Sequence, residues 1–148
     1  MIQGTLNGEV VKIPTSWEDV PYKNYIAFTK VDKPIEKASA LLALPYTTLE
    51  NISSEQLGAI LMAMSFMVEE PSAYMAELNT IDIGRESYGK IETAKAIIGG
   101  SKFPIDAVLP VLKVYTGIDY ADSATTIVHP LGAFFLLNCN GFLTDTKD

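Results

Sequence analysis

The chain has one cysteine, one histidine and one tryptophan, and only 11 basic residues scattered among 148. A lone Cys139 forms no internal disulfide, and together with the lack of a charged-then-apolar leader at Met1 this points to a reducing cytoplasm. One Cys and one His cannot close a tetrahedral zinc site without recruiting carboxylates, so structural zinc is not expected. With a net charge of -7 and no cluster of Lys or Arg, nucleic acid is not an expected partner, because phosphate recognition needs clustered cations. Long hydrophobic runs are also missing. The most apolar stretch, residues 57–68, falls short of the roughly 20 residues a helix needs to cross a bilayer, and no membrane association is expected.

What is present is apolar residues in quantity. A hydrophobic fraction of 48% against 20% charged residues is the reverse of the signature of disorder, and 148 residues suffice to bury a core. The expectation is one domain over residues 1–148, without an internal repeat or linker.

The local patterns predict an α+β fold, mainly α, with five or six helices and a small antiparallel sheet from an N-terminal β-hairpin. Asn7-Gly8 joins residues 2–6 to 9–13 and tolerates the positive φ angles of a type I′ turn. Helices are expected from about Pro21 to before Val31 and from Pro34 to Leu44, each opened by a proline whose missing N–H would have been unpaired there. Ser53 and Gln56 form a capping-box spacing ahead of a third helix over about 54–69. Its residues 57–68 are apolar on nearly every face, which predicts a buried central helix.

Further on, residues 80–88 read as a strand or strand pair able to extend the hairpin, and Lys90–Ile98 as a short helix ended by a left-handed cap at Gly99-Gly100. A helix over Pro104–Tyr115 must kink at Pro110 or start later, with Gly117 as its cap. Residues 118–129 read as an irregular connection, and the last helix as starting near Pro130, with Gly132 and Ala133 as small residues for close packing.

Candidate chemistry is thin. His129 and Cys139 lie ten positions apart, and the simpler account places His129 beside a helix start and Cys139 in packing. Glu69-Glu70, and Asp82 with Glu86, could serve as paired carboxylates for acid–base work, but such spacings are ordinary on the surface of an acidic protein. Gly99-Gly100-Ser101-Lys102 lacks the spacing of a phosphate loop. The expectation is therefore no catalytic residues, no metal, no cofactor and no enzyme activity. The rival from another class is a small acid–base enzyme built on carboxylates and Tyr88.

For partner binding the candidates are Trp17, Tyr22 and Tyr25. Pro14 and Pro21 bracket a short extended segment that carries Trp17, and a rigid aromatic makes a good anchor. The competing reading packs Trp17 on the core. Met62, Met64, Met67 and Met75 are adaptable contact residues in principle, with a plain core role as the stronger reading.

The segment Ile13-Pro14-Thr15-Ser16-Trp17-Glu18-Asp19-Val20, followed by Tyr22 and Tyr25, resembles the opening of small tail or virion assembly proteins of tailed bacteriophages. Gly84-Arg85-Glu86-Ser87-Tyr88-Gly89 is similar to a short Gly-and-Tyr strand turn in such proteins, and Leu109–Tyr115 to a later helix of theirs. Together these motifs span about a third of the chain. Pro21 departs from the pattern, which more often has a Thr cap there. The resemblance implies a non-enzymatic morphogenesis protein working through contacts with phage tail or other virion proteins. Two roles fit it: a tail assembly chaperone that shields a tape-measure or tail-tube subunit, or a small structural component of tail, baseplate or connector. It further implies residence in the host cytoplasm during assembly, or in the virion, and is compatible with homo-oligomerisation.

Overall fold

Asn7 and Gly8 adopt φ values of 51° and 84°, the paired positive angles a type I′ turn demands, and they close a two-stranded antiparallel hairpin. Strands β1 (Ile2–Leu6) and β2 (Glu9–Ile13) pair in register from Ile2 opposite Ile13 to Leu6 opposite Glu9. One face of the pleat carries the buried Leu6 and Ile13, while Gln3, Thr5, Val10 and Lys12 face water. The computed structural model describes residues 1–72 and 86–132, and they form a mainly helical fold with this hairpin at its N-terminus.

After the hairpin a single 3-10 turn, Trp17–Asp19, leads to helix α1 (Tyr22–Thr29), with Pro21 in extended conformation as its N-cap. Helix α2 (Pro34–Leu42) opens on its proline and stops at Ala43, which takes a left-handed conformation (φ 54°). The Ala43 amide bonds to the Ala40 carbonyl and the Leu44 amide to that of Ser39, the paired bonds of a Schellman ending. A short helix α3 (Tyr46–Glu50), which the apolar pattern does not announce, follows Pro45. Helix α4 (Ser54–Ala63) starts on the expected capping box: Ser53 Oγ accepts from the Gln56 amide at 3.1 Å and the Gln56 side chain accepts from the Ser53 amide. The helical path then tightens into a 3-10 segment, Ser65–Val68.

The second half differs from expectation in three places. Residues 80–85 lie outside the described residues, but Tyr88 is not in a strand: it is the first residue of α5 (Tyr88–Gly100), capped by Ser87 Oγ accepting from the Lys90 amide. Gly99 and Gly100 stay helical, and the cap is an extended Ser101. Helix α6 (Pro104–Thr116) starts at its first proline and contains Pro110, so that proline does not delay it, and Gly117 (φ 73°) ends it in left-handed conformation as expected. Residues 125–132 are already helical (α7), so Pro130 lies inside the helix and His129 is not a helix-start residue. The cause is tertiary, since Thr125 is held by partners far back in the chain.

By compactness the chain divides into one unit of Met1–Pro71 with Ser123–Thr126, and another of Ser72–Asp122 with Ile127–Asp148. In the first, α1 packs on α2, and α2 on α3. Its returning segment is fastened by three backbone features: Tyr22 amide to Ser123 carbonyl at 2.9 Å, Thr125 amide to Val20 carbonyl at 2.8 Å, and a bridge between Pro21 and Ala124. The buried Thr125 hydroxyl also donates to the Val20 carbonyl, at 2.7 Å. In the second unit α5 packs on α6, which buries Ala107, Val108, Val111, Leu112 and Tyr115. Gly132 of α7 is also buried, and a methyl group added there would stand 2.6 Å from Val108 Cγ1.

Candidate functional site

The three aromatic candidates come together, but in the interior of the first unit. Trp17 stands edge-on to Tyr25, Phe28 and Phe66 with ring centroids 5.3, 5.3 and 4.9 Å away, and Tyr22 stands edge-on to Tyr25 at 5.6 Å. Such T-shaped contacts set the positive edge of one ring on the negative face of another. Trp17 retains 8% of its surface, Tyr22 1% and Tyr25 7%. The indole N–H is also satisfied within the chain, donating to the Glu69 carbonyl at 2.9 Å. The large contact area expected of Trp17, Tyr22 and Tyr25 is thus spent on packing, and none of the three presents a broad face to a partner. Pro14 is buried too, while Thr15 and Glu18 of the same segment are exposed. Burial pushes the Tyr22 hydroxyl up from its ordinary pKa, with the neighbouring Tyr25 adding to the effect. Burial also raises Tyr25, and the Glu70 carboxylate contributes.

The apolar stretch expected to be a buried central helix lies largely at the surface. Among residues 57–68 only Ile60 and Met64 are buried. Met62 keeps 79% of its surface and Val68 83%, and Gly58 and Ala59 are exposed beside them in sequence. Leu57, Leu61, Phe66 and Met67 are half-buried. Of the four methionines named as contact candidates, Met64 is core, Met67 half-buried, Met62 exposed, and Met75 lies outside the described residues. Apolarity on every face states what a helix could bury; the neighbours supplied by the fold decide how much it does.

Two of the hollows on the first unit are lined wholly by described residues. One, of about 560 Å³, is a shallow groove along α1, α2 and α3 walled by small side chains such as Ala27, Ala40 and Ala43, with Tyr46 at its end. The other, of about 330 Å³, lies against the aromatic cluster, where Trp17, Tyr25 and Phe28 meet Lys37, Glu69 and Glu70. The Lys37 ammonium stands over the Phe28 ring, 5.0 Å from its centre.

Tyr88, the residue on which an acid–base reading would turn, is exposed at the start of α5, and its hydroxyl is pushed up by a hydrogen bond with Glu92 one turn on. A raised phenol stays protonated at neutral pH and is a weak base. Glu86 pairs with Lys90 at 3.3 Å, while Asp82 and Cys139 lie outside the described residues. Among the described residues no three His, Cys, Asp or Glu side chains gather as metal ligands, and no helix is long and apolar enough to cross a membrane. Comparison with protein-family models, with curated proteins and with solved structures gave no match.

Proposed function

We infer that the chain is a non-enzymatic protein of bacteriophage morphogenesis that works by covering apolar surface on another protein chain, as a tail assembly chaperone does. The observation that carries the contact half of this reading is the open apolar segment 57–68, with Met62 and Val68 almost fully exposed. Large apolar side chains left in water favour association, and methionine adapts to an irregular partner. The phage half rests on the resemblance of Ile13–Val20 and its following tyrosines to the opening of tail and virion assembly proteins. A net charge of -7 agrees with it, keeping such a protein soluble between encounters.

The test is co-expression with the products of the neighbouring tail-tube and tape-measure genes. The chain is expected to keep one of them soluble and to co-purify with it. Met62→Lys with Val68→Lys should abolish that effect while leaving the melting temperature within a few degrees of the parent, since exposed positions typically change stability by only about 0.5 kcal/mol. A partner whose solubility ignores both the chain and its variant would sink the reading. Recovery of the chain from purified particles would instead identify a structural virion component.

A further inference from the structure

Helix α4 keeps one face in water, and that face has an odd composition. Glu55, Gly58, Ala59 and Met62 are all exposed and follow one another at the three- and four-residue steps that place them on one side of a helix. Gly58 stands inside the helix, where glycine weakens it, yet a Cβ added there would meet nothing within 4 Å. The chain's own packing therefore gives no reason for the glycine. The groove along α1, α2 and α3 has a matching character: its walls are the small side chains of Ala27, Ala40 and Ala43, and no residue of α4 lines it. Charge within the first unit is also divided. Residues 21–37 carry four lysines against two acids, whereas residues 38–70 carry four glutamates and no lysine or arginine. Lys23 and Lys30, both exposed, stand one turn before and after Ala27, and the exposed Lys33 caps the start of α2.

We propose that a second copy of the chain covers this face head to tail: the Glu55–Met62 side of α4 on one copy lies in the α1–α3 groove of the next, with Met62 as its apolar anchor. Small residues on both sides let the helices approach closely, and the groove of about 560 Å³ receives the one long apolar side chain of the face. The division of charge selects this pairing over two α4 faces meeting across a twofold axis. That alternative sets Glu55 against Glu55, while the head-to-tail contact brings the acidic side of one copy to the lysines of the other. A contact between two different surfaces leaves each pair with one free helix face and one free groove, so larger species follow the dimer. One side of a ten-residue helix falls short of the roughly 800 Å² per partner of a stable complex, and the association is accordingly weak and concentration-dependent. The inference uses the same exposed segment as the functional reading without resting on it, since it concerns this chain alone.

Sedimentation velocity of the full chain at rising concentration is the test, and a monomer that gives way to dimers and then larger species is expected. Met62→Lys damages only the helix face and Ala27→Glu only the groove; both positions are exposed, so both variants fold. Each should weaken self-association about tenfold or more, the loss of one central contact. An equimolar mixture of the two should associate again and stop at the dimer, because the intact face of the Ala27→Glu chain meets the intact groove of the Met62→Lys chain. Gly58→Gln separates the contact from folding: glutamine is the better helix former and has open space, so the melting temperature should rise while association falls. A chain that stays monomeric at every concentration overturns the proposal and leaves the segment to a partner of another kind. Ala27→Glu associating like the parent points to two α4 faces in contact and overturns it as well, as does a mixture of variants that stays monomeric or a Gly58→Gln chain that associates unchanged. Failure here leaves co-purification with a tail protein untouched, and the reverse also holds.

Discussion

At the scale of single residues, the difference between an anchor and a core side chain is what surrounds it. Trp17 has three aromatic rings within 5.3 Å and its N–H committed, so truncation removes packing on several sides at once. Trp17→Ala should cost about 3–5 kcal/mol, the usual loss for a large buried aromatic. A thermal melt unchanged from the parent would show that the cluster contributes little. Ala43 makes the opposite case. Its φ of 54° places a Cβ where L-residues are strained by about 1–2 kcal/mol, while glycine there gives back roughly 0.5–1 kcal/mol in chain entropy. Ala43→Gly is therefore expected to stabilise by about 0.5–1 kcal/mol in urea unfolding, provided the Schellman bonds to Ser39 and Ala40 are kept.

At the scale of elements, most starts and stops follow from groups within one turn of each other. Ser53 with Gln56, Ser87 with Lys90, and the prolines at the openings of α2 and α6 act over three or four residues, as does the left-handed Gly117. Close packing between elements is a different matter. Gly132 lets α7 approach α6 so nearly that a Cβ would meet Val108 Cγ1 at 2.6 Å, and a β-branched side chain on a helix has little freedom to turn away. Gly132→Ala gains up to about 1 kcal/mol of helix propensity but incurs about 1–3 kcal/mol of overpacking. A net loss near 1 kcal/mol is the expected outcome in chemical denaturation. It should shrink when Val108 is also changed to Ala, and a double-mutant cycle with no coupling would refute the clash.

At the scale of the whole molecule, the first unit is completed by residues that come late in the chain. Thr125 donates both its amide and its hydroxyl to the carbonyl of Val20, 105 positions earlier. Closing so long a loop is entropically costly and depends on contacts that form late. Thr125→Val keeps the volume and removes the hydroxyl donor, so a loss of about 1 kcal/mol is expected. Amide exchange should quicken at Tyr22 and Thr125 while the amides of β1 and β2 keep their protection. Uniform quickening throughout would mean that the segment has no separate opening and belongs to one cooperative block.

The sequence by itself determined the elements whose causes are local. The Asn7-Gly8 turn, the proline openings, the capping box and the Gly117 stop all rest on bonds or torsions within a few residues, and the mainly helical fold with its N-terminal hairpin follows from them. Tertiary structure alone decided exposure. Residues 57–68 have no polar face to mark an outside, so only the neighbours that the fold supplies could leave Met62 and Val68 in water and bury Ile60 and Met64. It equally decided that Trp17, Tyr22 and Tyr25 face inward, because the rings that surround Trp17 come from residues as distant as Phe66. The start of α7 belongs to the same class. Pro130 is a good local opening, yet the hydrogen bonds from Thr125 to Val20 begin the helix earlier, and no pattern within one turn of Pro130 carries that information.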